Sequence, residues 1–261
     1  MADVPDYSLG TPCWFELGTT DQSAAKQFYG QLFGWSAQDY PMGPDEFYTM
    51  LRLNGRDAGA AYTLSAKLLE QGVKAHWNVY FATPDVDASA ALVSKLGGAL
   101  IQPPFDVMDA GRMAICKDPG GAMFSLWQGK RHRGAAVLNE NNAVCWSELA
   151  TRDIGQARDF YIGMFGWKTQ SSANMASYIE FIAGGLARGG LLPMDDDWKG
   201  IPSHWAIYVL VEDCDAAAAK VRALGGTLRR GPFSAPGVGR IAMLADPQGA
   251  GFSVITLDQA V

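Results

Sequence analysis

Nearly every recognisable segment of this 261-residue chain occurs twice. Cys13-Trp14-Phe15-Glu16-Leu17, Asp21, Phe28-Tyr29 and Phe33-Gly34-Trp35 return as Cys145-Trp146-Ser147-Glu148-Leu149, Asp153, Phe160-Tyr161 and Phe165-Gly166-Trp167. The offset is 132 residues (146 − 14). Farther along, His76-Trp77, Asp85, Leu96-Gly97-Gly98, Gly111-Arg112 and Asp118-Pro119-Gly120-Gly121-Ala122 return as His204-Trp205, Asp213, Leu224-Gly225-Gly226, Gly239-Arg240 and Asp246-Pro247-Gln248-Gly249-Ala250. Here the offset is 128 (204 − 76), so the first copy holds four additional residues between Trp35 and His76. A period this long is a duplicated domain, because solenoid units repeat about every 20–50 residues. Whatever one copy folds into, the other must fold into as well.

Two domains of about 125 residues each fit the usual domain size. The boundaries read as 8–128 and 143–257, with 129–142 as a linker containing Gly129, Gly134, Asn139, Asn141 and Asn142. Apolar residues make up 48% of the chain and charged residues 18%, enough to bury two cores. The net charge is −6, and the one dense basic run, Lys130-Arg131-His132-Arg133, falls in the linker. It reads as a solvated connector, so no nucleic-acid partner is expected. The first ten residues lack a basic segment followed by an apolar one, so no signal peptide is expected. No apolar stretch approaches the roughly 18 residues of a membrane span. Cys13, Cys116, Cys145 and Cys214 have no paired spacing, which suits a reduced, cytoplasmic protein.

Local patterns give the element order. Residues 12–18 read as a strand, and Asp21 is placed to cap a helix by accepting first-turn amides. Ala25, Phe28 and Leu32 form its apolar face, and Gly34 suits a left-handed stop. Strands at 47–53 and 58–63 flank the Asn54-Gly55 turn. A second unit follows: a strand at 76–82, a helix from Asp85 or Asp87 to Leu96, then strands near 99–102, 112–117 and 123–127. Each half is therefore two strand–helix–three-strand units, and the chain holds four. The class is α+β.

The ordered set of capping Asp, Phe-Tyr-x-x-x-Phe-Gly-Trp, Leu-Gly-Gly, Gly-Arg and Asp-Pro-x-Gly-Ala, met twice, resembles the glyoxalase/bleomycin resistance/extradiol dioxygenase (vicinal oxygen chelate) superfamily. Within it, the chain is most similar to two-domain actinobacterial members often labelled hydroxylases. The resemblance implies tandem βαβββ modules that form two cup-shaped, curled mixed sheets with helices outside. It also implies a small-molecule cavity in the cup.

Strand alternation then assigns faces, since residues i and i+2 share one. Cys13, Phe15 and Leu17 suit the helix side, which sends Trp14 and Glu16 into the cup; Trp146 and Glu148 correspond. On the next strand Trp77, Val79 and Phe81 pack outward, leaving His76, Asn78 and Tyr80 inside, matched by His204, Ala206 and Tyr208. On the last strand Ser125 and Trp127 face in, and Ser253 and Ile255 correspond. Arg112 and Arg240 are expected to face the two glutamates. The candidate ligand contacts are thus Trp14, Glu16, Asn78, Tyr80, Arg112, Ser125 and Trp127 in one cup. In the other they are Trp146, Glu148, Tyr208, Arg240 and Ser253.

Metal-dependent members of the family hold a divalent ion with His, Glu or Gln at about four strand positions. In this chain the matching positions are Trp14 and Trp146, Asn78 and Ala206, Ser125 and Ser253, and the 60–62 and 189–191 segments. An ion needs several converging donors, and tryptophan offers only an N–H. The expectation is no metal, no other cofactor and no assigned catalytic residue. His76 and His204 read as structural, and the Asp-Pro-x-Gly-Ala runs as hairpin turns. The leading functional reading is a metal-independent binder of an apolar or aromatic metabolite or antibiotic. The alternatives are a lyase, dioxygenase or hydroxylase of the same family, and a non-catalytic scaffold whose cups are filled by their own side chains. A small organic molecule is the expected partner, and a homodimer is compatible with the family.

Overall fold

The computed structural model describes residues 7–172, 175 and 177–258. The first half runs β1 (Pro12–Thr19), α1 (Gln22–Phe33), β2 (Ser36–Gly43), β3 (Glu46–Leu53), β4 (Arg56–Thr63), α2 (Ala66–Glu70), β5 (His76–Ala82), α3 (Val86–Lys95), β6 (Ala99–Val107), β7 (Gly111–Lys117) and β8 (Met123–Gly129). The second half repeats it as β9 (Val144–Thr151), α4 (Ile154–Phe165), β10 (Lys168–Ser171), β11 (Ile179–Ala183), β12 (Leu186–Pro193), β13 (His204–Leu210), α5 (Cys214–Ala223), β14 (Thr227–Ala235), β15 (Gly239–Ala245) and β16 (Gly251–Leu257). A short 3₁₀ turn, Asp196–Trp198, stands where the first half has α2.

Four aspartates start the long helices. The carboxylates of Asp21, Asp85, Asp153 and Asp213 each accept from an amide three residues on, all at 2.9 Å. Each bond satisfies one otherwise orphaned first-turn donor. Gly34 and Gly166 end α1 and α4 with φ of 74° and 66°, a left-handed turn that a Cβ would strain.

Each half builds one eight-stranded sheet, in the orders β2-β3-β4-β1-β5-β8-β7-β6 and β10-β11-β12-β9-β13-β16-β15-β14. The two modules of a half therefore pair with one another, through antiparallel β1–β5 and β9–β13, and not across halves. β1 and β4 run parallel, as do β9 and β12, and they approach closely. A Cβ on Gly59 would lie 2.8 Å from the Phe15 carbonyl, and one on Gly189 would lie 2.9 Å from that of Ser147. The strand expected at 99–102 continues to Val107, and Pro103 and Pro104 are tolerated because β6 is an edge.

The convex faces of the two sheets meet, and each half completes the other's core. Phe81 of β5 contacts the rings of Tyr161, Phe165, Trp167 and Trp205. Full burial of such a ring stabilises by about 1.5–3 kcal/mol. Phe28, Tyr29 and Phe33 of α1 contact Phe252 of β16 in return. Tyr29 donates its hydroxyl to Asp246 at 3.1 Å and accepts from Trp77 Nε1 at 2.9 Å. Tyr161 does the same with Asp118 at 3.1 Å and Trp205 at 2.7 Å. The Asp-Pro-x-Gly-Ala runs are turns as expected, and their buried carboxylates also tie each turn to the opposite half.

The basic linker run is only partly solvated. Lys130 and Arg131 lie at the surface in ion pairs with Asp106 and Asp109. His132 turns inward, and the chain beyond it bonds to both β1 and β4, Ala135 N to Cys13 O and Ala136 N to Asp57 O, each 2.7 Å. Among the described residues no helix is long and apolar enough to cross a membrane.

Candidate functional site

The concave face of each sheet carries the same four-residue cluster. In the first cup Trp14 Nε1 donates to the Tyr48 hydroxyl at 3.0 Å, and the Tyr80 hydroxyl donates to Glu16 Oε2 at 2.6 Å. The Tyr48 hydroxyl also faces the Glu16 carboxyl, so two phenols lie beside one acid. In the second cup Trp146 donates to Tyr178 at 2.8 Å, Tyr208 donates to Glu148 Oε1 at 2.7 Å, and Tyr178 again reaches the carboxyl. Burial pushes Glu16 and Glu148 above the ordinary carboxyl range, against the lowering effect of the phenol bonds. Burial and the adjacent carboxyl hold all four phenols well above the usual tyrosine value.

Two of these residues, Tyr48 and Tyr178, were not found from sequence. They are offset by 130 residues (178 − 48), a step between the 132 and 128 blocks that splits the four-residue excess into two pairs. Gly190 makes the second one possible, because a Cβ there would collide with the Tyr178 hydroxyl. In the ladder, Gly190 faces Glu148 as Ala60 faces Glu16, so 60 and 190 are the matched positions.

Above this shared floor the cups differ. In the first, Asn78 Nδ2 donates to Ser125 at 2.8 Å, and Trp127 Nε1 donates to the His132 carbonyl at 2.9 Å. The His132 ring stands edge-on to Trp14 at 4.4 Å and to Trp127 at 5.9 Å, so the linker packs over the Trp14–Trp127 end of this hollow. Burial lowers the His132 pKa, with Asp57 pulling the other way. In the second cup Ala206 replaces Asn78, and a cavity of about 390 Å³ opens to solvent. Glu148, Tyr208, Ser253, Ala206, Met243 and Trp198 line it, with His204, Arg229 and Arg230 nearer its mouth. Sequence reasoning missed Trp198, Arg229 and Arg230. The first sits on an irregular turn, and the arginines occupy an edge strand without apolar alternation.

Trp14, Glu16, Asn78, Tyr80, Ser125 and Trp127 come together in the first cup, and Trp146, Glu148, Tyr208 and Ser253 in the second. Arg112 and Arg240 do not join them. Arg112 shares a strand face with Ala114 and Cys116, which sit opposite the convex residues Leu126 and Phe124. It pairs with Asp87 on α3 at 2.8 Å. Arg240 is placed likewise and pairs with Asp215 on α5. Both arginines brace a helix N-terminus on the outer side. His76 and His204 bind backbone carbonyls, Lys74 O at 2.8 Å and Pro202 O at 2.9 Å, through Nδ1.

A model of the glyoxalase/bleomycin resistance protein/dioxygenase superfamily matches residues 13–126 and again 143–254. The chain belongs to that superfamily. A Mycobacterium tuberculosis protein named "Putative glyoxylase CFP32" is 44% identical over 259 residues, 98% of each chain. The anthracycline biosynthesis protein DnrV of Streptomyces peucetius is 35% identical over 266 residues, 96% of this chain and 94% of that one. Among solved structures, the homoprotocatechuate 2,3-dioxygenase of B. fuscum overlays with a TM-score of 0.66 at 17% identity, covering 99% of this chain and 73% of its own. The Mn(II)-bound glyoxalase of Novosphingobium aromaticivorans gives 0.63 at 15% identity, covering 97% and 86%. These two likenesses establish the fold.

The expectation of no cofactor does not stand after this comparison. The neighbours of this fold include a glyoxalase with Mn(II) bound, so the superfamily architecture is one that carries metal. The residue types at four strand positions do not decide what a fold of this kind recruits. Among the described residues no three His, Cys, Asp or Glu side chains gather as an ion-holding group. These side chains do not by themselves fit an ion.

Proposed function

We propose that this protein binds a small, largely aromatic organic molecule in the cup of its second half. The observation that carries the reading is the difference between the repeats: a cavity of about 390 Å³ lies against Ala206, where the first cup has the larger Asn78 bonded across to Ser125. That volume falls within the range of about 300–1,000 Å³ typical of ligand pockets. Its composition suits the same use: Trp198, Ile201 and Met243 supply apolar wall, and Glu148 with Tyr208 supplies one polar anchor. The relative named for anthracycline biosynthesis supports a polycyclic aromatic ligand.

The test is a thermal-shift titration with polycyclic aromatic probes such as anthraquinones, on wild type and Ala206→Trp. A ligand specific to the native state stabilises it by mass action, by about 2.7 kcal/mol at one hundred times Kd, and so raises the melting temperature. The expected result is a shift in wild type that disappears when the indole fills the cup. A shift of equal size in both proteins would remove the second cup from the reading.

A second reading is enzymatic, and it is favoured by the relative named a glyoxylase and by a carboxyl of raised pKa within the cavity. A group so perturbed in a cleft is a candidate proton donor or acceptor. Turnover of a bound probe that is lost in Glu148→Gln while binding persists separates an enzyme from a binder.

A further inference from the structure

The repeat supplies an internal control for the mouth of the second cup. Strand β14 there carries Arg229 and Arg230. The matching residues of β6, 128 positions earlier (229 − 128 and 230 − 128), are Ile101 and Gln102. The ladders confirm the match, since Arg230 sits opposite Met243 as Gln102 sits opposite Ile115. The second cup therefore has two guanidinium groups at a site where the first cup has none. Neither arginine is in a salt bridge among the described residues. Arg229 is steadied by a bond to the Gly249 carbonyl at 3.0 Å, and Arg230 by the face of Phe233, 5.5 Å from its ring centre. Both contacts orient a guanidinium without neutralising it. Asp197 is the one acid beside them at the mouth; Glu148 lies deeper, and its burial favours the uncharged form.

We infer that the second cup is selective for an aromatic acid, whose anionic group is held by Arg229 and Arg230 while its ring system enters the cavity. The inference rests on the proposed binding role of this cup and adds the charge class of the ligand. The geometry is that of a two-ended site. The body lies between Trp198 and Met243, a hydroxyl or carbonyl of the far edge reaches Tyr208 or Glu148, and the acid stays at the solvent boundary. Arginine suits this end because its planar fork binds a carboxylate bidentately and is more weakly hydrated than lysine. In a chain of net charge −6, two unpaired arginines also form a local positive field that draws anions to the opening.

The test is isothermal titration of anthraquinone-2-carboxylate and of anthraquinone-2-carboxamide, an uncharged probe of the same ring system. The proteins are wild type, Arg229→Met/Arg230→Met and Ala206→Trp. In wild type the carboxylate is expected to bind at least about tenfold more tightly, the lower end of what charge-assisted hydrogen bonds supply. The double methionine variant is expected to lose that preference while keeping its affinity for the carboxamide. Added salt is expected to weaken only the carboxylate in wild type. Equal binding of the two probes by wild type overturns the inference and leaves the binding role of the cup intact. Binding of neither probe overturns both. An arginine-dependent preference that survives in Ala206→Trp also overturns the inference, because the anion site would then be independent of the cavity.

Discussion

The two halves are held together by a pair of reciprocal hydrogen-bonded bridges, and Tyr29→Phe tests whether they matter. The substitution keeps the ring and its contacts and removes one oxygen. Two partners then lose their bond: Trp77 Nε1, which donates at 2.9 Å, and Asp246 Oδ2, which accepts at 3.1 Å. Asp246 keeps its amide donors from Gln248 at 3.0 Å and Ala250 at 2.8 Å, so the turn itself survives. Orphaning a buried donor costs about 1–3 kcal/mol, and a bond to a charged acceptor is worth about 1.5–3 kcal/mol. The two losses share one removed oxygen and do not simply add, so the cost is taken as roughly 3 kcal/mol. For a chain of this size a loss of 1 kcal/mol lowers the melting temperature by about 2 °C, which gives a drop of about 6 °C. Tyr161→Phe is the symmetric experiment, and the double variant should fall by about twice as much if the bridges act independently. The drop has a pH signature. Burial raises the Asp246 pKa, so its contribution is present at acid pH and is lost as pH rises through the folded value. Removing the Tyr29 donor raises that value further, and the deficit should be larger at pH 8 than at pH 5. Differential scanning fluorimetry or urea unfolding reads both effects, with exposed Tyr40→Phe as control. A Tyr29→Phe protein that melts with the Tyr40 control at every pH would refute the reasoning.

Three further outcomes are expected. Glu148→Gln removes a buried acid of raised pKa, whose stabilising contribution is lost as pH rises from about 4.3 through its folded value; thermal melts should show the variant gaining on wild type from pH 4.5 to 8. His132 has a folded pKa lowered by burial, so wild type should lose stability as pH falls below about 6.5, and His132→Leu should lose less in the same acid series. Arg240→Ala, on the outer face, should leave probe binding in the second cup unchanged by calorimetry; weakened binding would return Arg240 to the site.

The duplicated fold was legible because its signals are local and strong: four aspartate caps, two glycine stops and apolar alternation on the strands that meet α1 and α4. Strand β2 was not located because all eight of its residues are exposed and neither face carries an apolar stripe. The inward placement of Trp14, Glu16, Tyr80 and their repeats followed from the large residues on the opposite face of the same strands. The same logic failed for Arg112, since β7 alternates between Met113 and Ile115 on one side and the small Ala114 and Cys116 on the other, a contrast too weak to fix the face. His132 was assigned to solvent because its neighbours are charged; only the tertiary position of the linker, running past Cys13 and Asp57, brings its ring between two tryptophans. The arginines at the second mouth were visible in the repeat alignment all along, but their meaning depends on a cavity that no one-dimensional pattern reveals.

The Tyr29–Asp246 and Tyr161–Asp118 bridges sit on the backs of the sheets, away from either hollow. Assembly of the molecule is thereby separated from what its interior holds. Were the halves identical subunits of a symmetric pair, any substitution in one hollow would appear in both. Joined in a single polypeptide, position 206 is alanine where position 78 is asparagine, and the connector that spans the join lays an imidazole against two tryptophans of one hollow alone.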